Sequence, residues 1–118
     1  MDRGSVELLQ RACDLVRGGW SQHADARSTE GVEVQPWHET AAAWSLLGAL
    51  VAALEEQANN GRGLPLDDLA AALNELAALI DDDSLTNWND EPARTHDDVI
   101  NTLDAAATSA AAKLGNGR

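Results

Sequence analysis

Between Asp81 and Glu91 the chain crowds Asp81, Asp82, Asp83, Asn87, Asn89, Asp90 and Glu91 into one short stretch. Side-chain oxygens of this kind are what hard divalent cations take as ligands. The spacing does not make an EF-hand loop. Leu85 stands where a ligand is required, Thr86 where the glycine belongs, and Pro92 where the bidentate glutamate belongs. The stretch reads as a solvated acidic loop, with a loose Ca²⁺ or Mg²⁺ site as the alternative. His23, His38 and His96 lie in three separate segments, and none has a second His or Cys at ligand spacing, which argues against zinc. No glycine-rich phosphate loop and no Gly-x-Ser-x-Gly elbow is present. The sequence therefore assigns no catalytic residue, no metal ligand and no cofactor, and an enzyme is not the expected class.

The aromatic residues are the second feature. There are four tryptophans, Trp20, Trp37, Trp44 and Trp88, with no Phe and no Tyr. An indole brings a large apolar surface and an N–H that wants an acceptor. The main expectation is that the four anchor the irregular parts of the chain to its core. The alternative is a partner or ligand groove lined by Trp20, Trp88, Asn89 and Asp90 beside the acidic loop Asp81, Asp82, Asp83 and Glu91, since Trp is favoured at binding hot spots. Asn89 and Asp90 also suit a turn before Pro92, where such side chains bond backbone groups. Asp83-Ser84-Leu85 has the form of the triplet that carries phosphopantetheine in acyl carrier proteins. Those need a long helix after it, whereas here the chain reaches Pro92 within a turn or two, so Ser84 or Asp83 reads as a helix cap. Cys13 falls within the helical pattern Leu9, Ala12, Cys13, Val16 and reads as a small buried hydrophobe.

These residues need a frame, and the periodicity supplies one. Leu8, Leu9, Ala12, Leu15 and Val16 recur at helical spacing after Ser5, a potential cap, and Gly18-Gly19 ends that helix where a left-handed residue is wanted. The Val32-Glu33-Val34 alternation and Gly31 predict a small β-hairpin at about residues 20–35, inside an irregular stretch 18–37. A long helix is predicted from about Glu39 to Ala58 on the stripe Trp44, Leu47, Leu50 or Val51, and Leu54, with Gly48 marking a close helix crossing. A third follows Pro65 on Leu69, Leu73, Leu76 and Ile80, with Asp67 and Asp68 near its positive end. A short one covers Leu85 to Trp88 within the acidic junction 81–94. The last opens on the capping-box pattern Thr95-His96-Asp97-Asp98 and buries Val99, Leu103, Ala106, Ala110 and Leu114 before a flexible tail at 115–118. The expected fold is a single all-α domain over residues 1–118: an irregular bundle of four main helices plus a short fifth, with the hairpin.

Charge narrows the function classes. Twenty acidic residues against eight basic ones give a net charge of −12 in 118 residues, and Lys113 is the only lysine. A surface of that sign repels a phosphate backbone and anionic lipid, so neither direct nucleic-acid binding nor membrane docking is expected. It suits a basic protein partner, a divalent cation, or solubility alone. Met1-Asp2-Arg3-Gly4 does not resemble a signal peptide, and Ala41–Leu54 is too short and alanine-rich to span a bilayer, so a cytoplasmic protein is expected.

Gly19-Trp20-Ser21-Gln22, then Trp44-Ser45-Leu46-Leu47-Gly48-Ala49-Leu50, then Trp88-Asn89-Asp90 with Thr95 and Val99 resemble an uncharacterised family of small bacterial proteins associated with actinobacteria and their phages. Members of that family often carry a cysteine where Ser45 stands here. The resemblance implies the helical fold and a helix junction at Trp88, Asn89 and Asp90, and it implies no activity. The functional expectation is a binding module that acts through a protein partner, with homo-oligomerisation compatible. An acidic mimic of nucleic acid that blocks a DNA-binding protein is one alternative. A small-molecule or divalent-metal-binding protein is another.

Overall fold

Leucine and alanine stripes decide how the helices pack in the computed structural model, which describes residues 4–63, 65–82 and 84–116. Five α-helices and two short strands lie among the described residues: α1 (Gly4–Gly18), β1 (Ala26–Ser28), β2 (Ala41–Trp44), α2 (Leu46–Gln57), α3 (Leu66–Leu79), α4 (Leu85–Asn89) and α5 (His96–Asn116). A wide π-helical turn, Ala58–Arg62, closes α2. The expected all-α bundle with a small hairpin is the fold of the protein.

Helix α1 is the central element, packing against α5, α2 and α3. Its Val6, Leu9, Ala12 and Val16 are fully buried with Leu46 and Leu50 of α2, Leu76 of α3, and Val99 and Leu103 of α5. Alanines 12, 49, 72 and 106 have no exposed surface, so backbones approach closely where larger side chains would hold them apart. Cys13 sits in this core with its thiol directed at the Ile100 carbonyl, and burial pushes the thiol up from its ordinary range. No helix among the described residues is long and apolar enough to cross a membrane.

The hairpin is set differently from the expectation. The turn at Ser28–Gly31 forms, and Arg27 lies opposite Glu33 in an antiparallel bridge. The regular partner of β1, however, is Ala41–Trp44, paired antiparallel with an irregularity between Arg27 and Ser28. Residues 41–44 were expected inside the second helix, which instead begins at Leu46. Alanine would favour the helix, but one tertiary effect and one local cap override it. Trp44 engages its N–H and C=O with Gly19 and Ser21, and the Ser45 hydroxyl accepts from the Gly48 N–H as a cap at 2.9 Å.

Three smaller expectations also change. Ser5 lies inside α1, which is already helical at Gly4, so it is no cap. Gly18-Gly19 does end α1, but neither has positive φ; Gly19 is needed because a Cβ would stand 2.2 Å from the Ala42 carbonyl oxygen. The last helix continues through Gly115 to Asn116, so only 117–118 of the expected tail lie outside the described residues. Ser84 does cap α4, accepting from Asn87 at 3.2 Å, while Asp83 lies outside the described residues. Thr95 and Asp98 form the reciprocal capping box of α5 at 3.1 and 3.0 Å.

Gly48 marks a close crossing, though of a loop rather than a helix: a Cβ there would stand 1.9 Å from the Asp25 carbonyl oxygen. Gly48→Ala should therefore lower stability by at least about 1–3 kcal/mol, because overpacking against backbone outweighs the gain of about 1 kcal/mol in helix propensity. Urea denaturation checks this, and an unchanged or higher midpoint would contradict it. At the far end of the bundle Lys113 donates to Glu75 at 2.8 Å and joins α5 to α3. That hydrogen bond holds the Glu75 carboxyl below its ordinary range. A depressed carboxylate stabilises the fold at neutral pH and loses that contribution as pH falls through the carboxylate range. Lys113→Met should thus be less stable than the parent at pH 7, with the difference closing toward pH 3.

Candidate functional site

Asn89 ends α4 with its side chain fully buried. Its Oδ1 accepts from the Trp20 indole Nε1 at 2.8 Å and from the Leu46 backbone N–H at 3.0 Å. Its Nδ2 donates to the Ser21 carbonyl at 3.0 Å and to Asp90 Oδ1 at 2.9 Å. One amide thus ties the segment after α1, the start of α2 and the end of α4 together. Gln22 reinforces the junction by donating to the Asn89 and Glu91 carbonyls at 3.0 and 2.9 Å.

Both indoles expected to flank a groove belong to this junction. The Trp20 ring stacks on His96, centroids 6.1 Å apart, and His96 Nε2 meets the Val16 carbonyl at the end of α1. Trp88 is buried under Arg94, whose guanidinium carbon lies 3.8 Å from the ring centroid while its Nε donates to the Trp88 carbonyl at 2.8 Å. Trp44 donates its indole N–H to the Pro36 carbonyl at 2.9 Å. No buried side-chain nitrogen or oxygen among the described residues lacks a partner. The polar groups of Trp20, Asn89 and Asp90 therefore face one another, and Trp88 lies beside them under Arg94.

The acidic loop is dispersed. Asp81 and Asp82 are exposed, and Asp82 accepts from the Ser84 N–H at 3.0 Å ahead of α4. Glu91 is exposed and Asp83 lies outside the described residues. No group of three or more His, Cys, Asp or Glu among the described residues is placed to hold a metal ion.

The open surface begins on the outer side of the junction. Asp90 Oδ1 also accepts from the His23 N–H at 2.9 Å, holding His23 at φ +65°, a left-handed conformation in which a side chain costs energy. His23 and Asp90 edge a cleft of about 210 Å³ that also takes in Asp25, Glu33, Ser45 and Thr86. A second concavity of about 550 Å³ shares Asp25 and Glu33 and continues past Val34, Pro36, Trp37 and Val51. Trp37 and Pro36 then also border a third hollow of about 230 Å³ toward Arg11 and Glu56. Glu56 is paired with Arg11 at 2.7 Å, whereas among the described residues the carboxylates of Asp25 and Glu33 have no hydrogen bond or ion pair.

Trp37 departs from the anchoring role expected of the four tryptophans. It is 51 % exposed, with Val32 of the same segment at 59 %, while the other three indoles are tied into the fold. Pro36-Trp37 stood next to the supposed helix start, which made an anchoring role look natural. Gln22 and His96 enter the sequence reading as parts of a motif and of a cap, and Arg94 not at all, because a lone arginine, glutamine or histidine carries no spacing signal for such contacts.

The fold and this surface define a small acidic helical protein with a polar-locked junction and one exposed tryptophan. The chain belongs to the family described as Family of unknown function (DUF6197), whose model matches residues 2–109. No curated protein and no solved structure matches the chain.

Removing the amide hub would orphan the Trp20 and Leu46 donors. Each lost partner costs about 1–3 kcal/mol when the group stays buried, so Asn89→Ala should be among the most destabilising single changes. Asn89→Asp retains an acceptor but loses both Nδ2 donations, so it should also destabilise. A midpoint of chemical denaturation for Asn89→Ala equal to that of the parent would contradict the hub.

Proposed function

We propose that the protein is an acidic binding module that contacts a protein partner through the surface around Trp37. One observation carries the reading: the exposed indole forms a wall shared by two concavities, while the remaining tryptophans are engaged in holding the fold. A half-exposed Trp contributes little to folding and much to association, since its apolar body and N–H are both available to a partner. The net charge of −12 favours a partner of opposite sign and repels nucleic acid. A single thiol, buried against Ile100, suits the reducing cytoplasm, and we place the module there.

Trp37→Ala should leave the folding free energy within about 0.5 kcal/mol of the parent, as surface substitutions do. A partner recovered from the source cells and reconstituted from purified components should bind the variant at least about thirtyfold more weakly, the scale of a hot-spot loss of about 2 kcal/mol. Equal affinity of the folded variant would refute the Trp37 surface. A loss of self-association instead, read by sedimentation, would assign the surface to a second copy of this chain.

A further inference from the structure

The two concavities that share Asp25 and Glu33 lie along the outer edge of the small sheet. Arg27 and Glu33 form an antiparallel bridge flanked by two hydrogen bonds, Ser28 N–H to the Val32 carbonyl at 2.8 Å and Val34 N–H to the Ala26 carbonyl at 3.0 Å. In such a pair the bonds to the neighbouring strand belong to the flanking residues, and the central residues turn their own N–H and C=O the other way. The backbone of Glu33 therefore faces outward, at the point where its side chain also borders the trough. β1 is already occupied on both sides, by residues 32–34 and by β2, so on the side of the trough the sheet ends at the outward-facing backbone of Glu33.

Three features of that edge act on the same occupant. Its main chain offers the N–H and C=O of Glu33 to a further strand, whereas the Gln35 carbonyl already accepts from the His38 N–H. The carboxylates of Asp25 and Glu33 carry negative charge with no cation among the described residues to meet it, because Arg27 donates instead to the Gly31 and Gln22 carbonyls. Val34, Pro36 and Trp37 supply apolar wall at one end, and Asp90 with His23 closes the other. We infer that the trough takes an extended, arginine-bearing segment of a partner protein, added as a strand at Glu33. A basic side chain lies between Asp25 and Glu33, and an apolar or cationic one lies against the Trp37 ring. The inference rests on the Trp37 reading and goes beyond it by fixing both the conformation and the charge of what binds.

The probe is a labelled octapeptide of alternating valine and arginine, read by fluorescence anisotropy against the whole folded chain. Its valine–glutamate counterpart and a copy N-methylated at alternate backbone amides serve as comparisons. The valine–arginine peptide should bind and protect the Glu33 amide from hydrogen exchange. The glutamate peptide should not bind. N-methylation on the pairing edge should weaken binding at least tenfold, and so should the Asp25→Asn/Glu33→Gln double variant. If the N-methylated peptide binds as well as its parent, or if none of the peptides binds, the strand inference is overturned. Binding that Trp37→Ala weakens but N-methylation leaves unchanged sinks the strand and spares the surface. Binding indifferent to both Trp37→Ala and N-methylation sinks the two together.

Discussion

The fold depends on one buried primary amide. Among the described residues Asn89 is the polar side chain with no exposed surface, and it lies where the segment after α1, the start of α2 and the end of α4 meet. An amide can donate twice and accept twice, and here each capacity is used: the Trp20 indole and Leu46 N–H on the oxygen, the Ser21 carbonyl and Asp90 on the nitrogen. A hydrophobic residue of similar size would satisfy none of these groups, and Asp could not donate to Ser21. Burying such a network is favourable only when it is complete, which makes the junction all-or-none.

That constraint propagates outward. With Leu46 N–H bound to Asn89 and Ser45 capping at Gly48, α2 cannot start earlier, so Ala41–Trp44 is left extended and becomes available to β1. Trp44 then pins Pro36 through its indole, and this sets the course of the segment that presents Trp37. On the other side Asp90, fixed by Asn89, holds His23 in its left-handed conformation, which fixes the path into Asp25. The Asp25 carbonyl in turn lies against Gly48 and accepts from the Ser45 N–H at 3.0 Å. The trough is therefore bounded on both sides by residues whose backbone the junction determines.

The helices were legible because their signals are local. Leucine periodicity, a Thr-x-x-Asp box and a serine cap each report on a few neighbouring residues, and α1, α3, α4 and α5 followed them closely. The start of α2 was not legible, since the alanine propensity of Ala41–Trp44 outweighs the Ser45 cap in any local reading and the segment is made a strand by partners near residues 20 and 27. Trp20, Trp88, Asn89 and Asp90 group together by residue type, but their spacing could not say whether the polar atoms point inward at one another or outward at a ligand. Trp37 was misread for the complementary reason. Exposure is a property of the surrounding chain, and nothing in Gln35-Pro36-Trp37-His38 encodes it.

The motifs that suggested a family, Gly-Trp-x-Gln, Leu-Gly-Ala-Leu and Trp-Asn-Asp, converge on the junction in space: Gly19 against Ala42, Trp20 and Gln22 on Asn89, Gly48 against Asp25, Asp90 on His23. Each of those contacts is explained by packing or by a satisfied hydrogen bond, without a ligand. Sequence features that resemble a site can thus arise from the geometry of a polar core alone. The residues with free capacity lie elsewhere, at Asp25, Glu33 and Trp37, where each side chain is exposed and could change without disturbing Asn89. Each of these three side chains can be replaced without removing any of the four hydrogen bonds that Asn89 makes, so the junction that positions the surface does not depend on what the surface carries.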